Sequence, residues 1–278
     1  MPSLDRPEGG RPTNKLYYEV HGPAPAQSPR PPLLLVAGLA SDSQSWGTVL
    51  APLAAERCVV VFDNRGCGRS APQDAPISIQ AMAEDCIALA DHLGIARFDL
   101  IGHSMGGMIA LDCALRHPER IERLILANSA ARASARNDRL FDDWAEALTA
   151  GIDPARWFRN FFYWIFTPGF FENRAALDEA LRLTLAYPYP QSAAGFRGQV
   201  AAMRGFDRRA DLRRLSSKTL VLCSEWDMIF PAASATAELA AIPGVSTMVV
   251  PGQAHALHVE APHLFLPPAM DFLAWPRT

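Results

Sequence analysis

The sequence predicts an α/β protein organised on a mostly parallel, buried sheet, and three observations predict it. Continuous apolar runs of strand length recur, such as Leu33-Leu34-Leu35-Val36-Ala37 and Arg57-Cys58-Val59-Val60-Val61-Phe62; strands covered on both faces read this way. Segments with a helical apolar period lie between them, the clearest carrying Ile79, Met82, Ala83, Cys86, Ile87, Ala90 and Leu93. A glycine-framed serine turn, Gly102-His103-Ser104-Met105-Gly106-Gly107, falls where a strand hands over to a helix.

In chain order, residues 1–15 read as a loose, Pro/Gly-rich start, and Leu16 to Val20 as a first strand. The proline-rich stretch to Pro32 is a surface connection. Leu33 to Ala37 is a buried strand, Trp46 to Ala55 a helix and Arg57 to Phe62 the next strand. The helix from Ile77 to Leu93 stops at Gly94. Phe98 to Ile101 leads into the serine turn, Met108 to Leu115 leads out as a helix, and Ile121 to Leu126 is a strand. The alternation calls for parallel α/β architecture. It then stops: residues 130–212 hold helical stretches at 137–149, 154–166, 174–186 and 191–203 and no buried strand pattern, which reads as a helical insertion. Thr219 to Cys223, Ala233 to Ala241, Thr247 to Val250 and Leu264 to Trp275 resume the strand and helix rhythm.

The 278 residues allow one large domain carrying a smaller insertion. A net charge of −3 without a basic patch argues against nucleic acid as a partner. No apolar run reaches the roughly 18 residues of a membrane span, and the N-terminus shows no targeting segment. The five cysteines are scattered without metal-ligand spacing, and their odd number points to reduced thiols and a cytoplasmic location. A monomer or homodimer acting on a small molecule is expected.

The serine turn carries the chemistry. Gly-x-Ser-x-Gly between a strand and a helix is the pattern of a nucleophile elbow, a strained turn whose neighbours must be small. A serine hydroxyl is a poor nucleophile and needs a base, and the base needs an orienting carboxylate. In a parallel sheet these must lie past the C-terminal ends of other strands. Asp227, four residues past the strand ending at Cys223, is the candidate acid, with Glu225 as its alternative. Among seven histidines, His255 follows the last strand by five residues and is the candidate base. His103 is expected to pack or support a loop, and His258 and His263 to be helix-start or surface residues. The backbone N–H of Met105, at a helix start, and that of Leu39, in the loop after Gly38, are candidate oxyanion donors.

These residues resemble the α/β-hydrolase superfamily, in its lidded serine esterase and 3-oxoadipate enol-lactonase-like branch. The resemblance rests on Gly38-Leu39 followed by Trp46, on Asp63-Asn64-Arg65-Gly66-Cys67-Gly68-Arg69-Ser70, on the serine turn, on Asp227 with Pro231, and on Gly252 to His255. The order Ser104, Asp227, His255 is that of the family triad. The resemblance implies a mostly parallel central sheet flanked by helices, with a helical lid inserted after the sixth strand. The core would comprise residues 1–129 and 213–278, and the cap residues 130–212. It further implies a carboxylic ester hydrolase or lactonase needing no metal or organic cofactor. A histidine commonly precedes the first-loop glycine of the family; here Ala37 does. A serine nucleophile disfavours dehalogenase and epoxide hydrolase chemistry, which need a carboxylate.

The insertion is rich in aromatics between residues 144 and 171. Most serve to build the core of a small lid; Trp157, Phe161 and Trp164, spaced along one helix face, are candidates for a substrate pocket. Rival readings on the same residues are a C–C bond hydrolase acting on a β-diketone or ring-cleavage product, a cofactor-free perhydrolase, and a non-enzymatic ligand receptor.

Overall fold

Eight strands form one sheet: β1 (Ser3–Glu8), β2 (Arg11–His21), β3 (Leu33–Val36), β4 (Val59–Phe62), β5 (Phe98–His103), β6 (Ile121–Ala127), β7 (Lys218–Ser224) and β8 (Ser246–Val250). The structure, a computed structural model, describes residues 2–8 and 11–274. The strand order is β1-β2-β4-β3-β5-β6-β7-β8. β1 pairs antiparallel with β2, and β2 with β4; every pairing from β4 to β8 is parallel.

The apolar strands are explained by cover on both faces. Successive side chains point to opposite sides, so Leu33 and Leu35 join one core and Leu34 and Val36 the other. On the first side lie α1 (Gly47–Ala54), through Val49 and Leu53, and the C-terminal helix (Pro262–Ala274), through Phe265 and Leu273. On the second lie α2 (Ile79–His92) and α3 (Met105–Arg116), with Met82, Leu89, Ile109 and Leu111 fully buried. Each such side chain contributes about 2 kcal/mol through burial.

Between β6 and β7 the chain forms α4 (Ala135–Thr149), α5 (Pro154–Ile165), α6 (Pro168–Glu172), α7 (Arg174–Leu185) and α8 (Ala193–Met203). α8 is seated on the 63–70 loop: a Cβ on Gly195 would lie 2.2 Å from the Gly66 carbonyl oxygen, so only glycine permits this approach. Buried Gln199 donates from Nε2 to the Arg65 carbonyl at 2.8 Å. The end of α5 is tied to the loop after β8, where the Ala256 amide donates to the Ile165 carbonyl at 2.9 Å. After β7 come α9 (Ala232–Leu239), α10 (Leu257–Glu260) and α11, the C-terminal helix at Pro262–Ala274.

Two expectations need correction. Most of the start read as loose is strand: Ser3 registers with Tyr17, Leu4 with Leu16 and Asp5 with Lys15. Leu4 packs on the core and Arg6 pairs with buried Asp85 of α2 at 2.9 Å. Proline content masked this, yet proline is tolerated on an edge strand. In the insertion, the short α6 was missed because its five residues hold less than two helical turns. Trp275, expected in the last helix, lies outside the described residues. No helix among those described is long and apolar enough to cross a membrane.

Candidate active site

Ser104 stands between β5 and α3 with φ 57° and ψ −124°. The turn closes because its neighbours lack side chains: a Cβ on Gly102 would lie 2.1 Å from the Gly106 carbonyl oxygen, and one on Gly106 would lie 2.1 Å from that of Val36. The Ser104 amide donates to the Ala127 carbonyl at 3.0 Å, fixing the turn to the end of β6. The residue is 6% exposed, and it lines a cavity of about 70 Å³ together with His255.

His255 Nδ1 lies 2.8 Å from Asp227 Oδ2. The other Asp227 oxygen accepts from the amides of Ile229, at 2.8 Å, and Phe230, at 2.9 Å. Both carboxylate oxygens are therefore spoken for, which leaves the imidazole orientation fixed from behind. Glu225 turns away and accepts from the Gly252 amide at 2.8 Å, bracing the loop that carries His255. Among the described residues, the amides of Met105 and Leu39 have no hydrogen-bond acceptor. Gly38 brings the Leu39 loop against the elbow, and a Cβ there would lie 3.0 Å from Ser104 Cβ.

Two further histidines crowd this centre. His103 Nε2 lies 2.9 Å from the His255 carbonyl oxygen, and its ring sits 4.7 Å from that of His255 and 4.4 Å from that of His258. His258 takes the helix-start place expected of it, in α10, and is buried there rather than superficial, against Trp46 at 4.6 Å between rings. Burial first, then the charge of His255, pushes its pKa down to about 3. Burial, followed by proximity to His258 and His255, likewise holds His103 well below the usual imidazole range. Both rings are thus kept neutral beside His255.

The cavity walls are apolar: Leu39, Phe141, Trp144, Phe161, Ile165 and Phe166. Of the three aromatics expected there, only Phe161 lines it. Trp157 lies behind, stacked on Phe161 at 5.3 Å and donating from Nε1 to the Trp144 carbonyl. Trp164 lies under the Arg136 guanidinium at 4.9 Å. Helical spacing gave the right face for Phe161 but not its depth. Phe141 and Trp144, three apart on α4, carried the same signal and were missed as pocket residues. A larger cleft of about 410 Å³ beside Arg116 and Arg208 shares no lining residue with the Ser104 cavity, and its arginines are matched by Asp112 and Asp211.

Comparison with known proteins agrees with this fold. Residues 31–262 match the family model described as alpha/beta hydrolase fold. RutD of Variovorax paradoxus, named a candidate carbamate hydrolase, is 31% identical over 273 residues, covering 93% of this chain and 96% of the relative. The enol-lactonase from Burkholderia xenovorans LB400 superposes with a TM-score of 0.84 at 26% identity, over 94% of this chain and 97% of that one. A thermophilic esterase from Thermogutta terrifontis gives a TM-score of 0.84 at 26% identity, over 98% of both chains. The protein is a hydrolase, and the chain belongs to the alpha/beta hydrolase fold family.

Proposed function

We propose that the protein is a serine hydrolase that cleaves a carboxylic ester or lactone of a small, largely apolar substrate through an acyl-enzyme intermediate. One observation carries the reading: a serine in a strained turn shares a small apolar cavity with a histidine whose far nitrogen is held by a doubly anchored carboxylate. His255 takes the Ser104 proton as Oγ attacks the substrate carbonyl. The oxyanion rests on the amides of Met105 and Leu39, each worth roughly 3 kcal/mol in the transition state. The imidazolium, stabilised by Asp227, then protonates the leaving oxygen as the C–O bond breaks. Water, deprotonated by His255, attacks the acyl-enzyme and releases the acid. In a lactone the leaving hydroxyl stays on the acyl chain. Residues 130–212 act as a cap whose α4 and α5 side chains form the acyl pocket.

A carbamate is the second reading. Its carbonyl is attacked by the same steps, its acyl portion fits a cavity of about 70 Å³, and the RutD relatives carry that activity in their name. The deciding experiment is a panel of short and long acyl esters, lactones, carbamates and β-diketones, with Ser104→Ala as control. Turnover of esters or lactones that vanishes in Ser104→Ala is expected. Equal turnover by Ser104→Ala would remove the serine mechanism, and turnover confined to β-diketones would remove the ester reading.

A further inference from the structure

The exit of β6 supplies none of the three groups invoked above, yet it touches the segments bearing all of them. β6 lies between β5, which ends at the nucleophile turn, and β7, which leads to Asp227. The Ala127 carbonyl accepts from the Ser104 amide at 3.0 Å, and the Ser129 hydroxyl donates to the Ser104 carbonyl at 2.8 Å. That hydroxyl reaches the turn only because Gly107 has no side chain; a Cβ there would lie 2.4 Å from Ser129 Oγ. The Asn128 amide donates to the Leu222 carbonyl at 2.8 Å. Asn128 Nδ2 faces Ser224 Oγ at 3.0 Å, the Ala254 carbonyl at 3.4 Å and the His255 carbonyl at 2.6 Å.

Asn128 adopts φ 45° and is 1% exposed. Asparagine is among the few side chains that accept the left-handed region readily. The turn there aims its amide at the ends of β7 and of the His255 loop. The His255 carbonyl takes a second donor from His103 Nε2 at 2.9 Å, so two buried side chains grip the main chain of one residue from β5 and β6. Two carbonyls around Nδ2 also settle the amide's orientation: with oxygen in that place, acceptor would meet acceptor.

We propose that Asn128 and Ser129 are positioning residues, which hold the His255 main chain and the Ser104 turn at a fixed separation through the end of β6. The inference rests on the serine hydrolase reading. Asn128→Asp keeps the shape but replaces two N–H donors by acceptors. Asn128→Gly removes the amide and accepts φ 45° without strain. Ser129→Ala removes the bond to the elbow and retains the backbone.

The test measures kcat and KM on p-nitrophenyl acetate, with thermal melts as a check on folding, for these variants in the wild-type and His255→Ala backgrounds. A misplacement of about 1 Å costs on the order of 100-fold in rate. Asn128→Asp and Asn128→Gly are expected to lose kcat by about that factor with KM changed less than about threefold, and Ser129→Ala by about tenfold. Because Asn128 acts through His255, Asn128→Asp should change the residual rate of His255→Ala less than about twofold. Equal fractional losses in the two backgrounds would overturn the inference, as would wild-type kcat in Asn128→Gly. If Asn128→Asp does not fold, Asn128→Gly decides the question by the same criteria, and wild-type kcat in Ser129→Ala overturns the part assigned to Ser129. Full activity of His255→Ala overturns the catalytic reading together with the inference. An inactive His255→Ala beside a fully active Asn128→Asp overturns the inference alone.

Discussion

His255 Nδ1 and Asp227 Oδ2 stand 2.8 Å apart, and the second oxygen of Asp227 is held by two amides at the start of the segment leading to α9. The carboxylate therefore cannot rotate away without abandoning three hydrogen bonds. This pairing fixes which imidazole nitrogen is free to face Ser104. Asp227→Asn keeps the shape but offers the wrong hydrogen-bond partner to Nδ1. A fall in kcat of about 10³–10⁴-fold is expected, measured on the best ester of the panel. A loss below tenfold would remove Asp227 from the catalytic assignment.

Ser104 occupies a backbone region that glycine enters without cost. Strain of this kind costs of order 1–3 kcal/mol and is retained at sites of function. Ser104→Gly is therefore expected to abolish hydrolysis and to raise the stability of the fold by about 1 kcal/mol. Urea titrations of the two proteins give the difference. A variant less stable than the parent would show that the turn is not a strain reservoir.

The acyl pocket proposed for the cavity beside Ser104 predicts a chain-length limit. Phe161 is 9% exposed and separates the cavity from Trp157. The wild-type enzyme should favour acetate over octanoate esters. In Phe161→Ala the ratio of kcat/KM for octanoate over acetate should rise at least about tenfold, at a stability cost of about 3 kcal/mol. An unchanged ratio would place the acyl chain elsewhere.

The neutral histidines make stability depend on pH. Both have folded-state pKa values depressed by burial, His258 from 6.5 to about 3. Between those values the unfolded chain binds protons that the folded chain refuses. The contribution is complete above pH 6.5 and is lost as pH falls toward about 3. Each group adds a slope of up to ~1.4 kcal/mol per pH unit. Unfolding free energies at pH 7 and pH 5 are expected to differ less in His258→Phe than in wild type. Parallel losses would show that His258 is protonated in the fold.

Tyr187 of the α7–α8 connection donates its hydroxyl to Asp42, whose carboxylate also caps the turn at Ser43–Trp46 by accepting from the Gln44 amide at 2.9 Å. Burial, then the nearby Asp63, raises the Asp42 pKa, and the Tyr187 hydroxyl opposes that shift. Tyr187→Phe removes one donor from a buried carboxylate. A loss of roughly 1–2 kcal/mol in stability is expected, by urea titration, and it should be larger at pH 8 than at pH 5, where more of the carboxylate is protonated. A pH-independent effect would assign the contact to packing alone.

The strand-and-helix rhythm, the elbow and the positions of Ser104, Asp227 and His255 past three strand ends were all legible in the amino-acid order, because each depends on local patterns. Continuous apolar runs announce strands covered on two faces, and Gly102 and Gly106 announce a turn with no room for side chains. The sequence by itself also set the chain order Ser104, Asp227, His255. Tertiary structure alone decided what depends on distant segments meeting. His258 is polar and the second residue of the short helix α10, so nothing local marks it as buried; Trp46, Phe265 and His103 arrive from three other elements to cover it. Trp157 and Phe161 share a helix face, but the depth of the cavity against α4 separates the side chain behind from the one in front. Asn128 is an unremarkable residue after a strand, and its reach to Ser224 and His255 exists only because β6 runs between β5 and β7. Local periodicity fixes which residues form an element and which side they face; the separation between elements is set by how all the side chains pack, and that is a property of the whole chain.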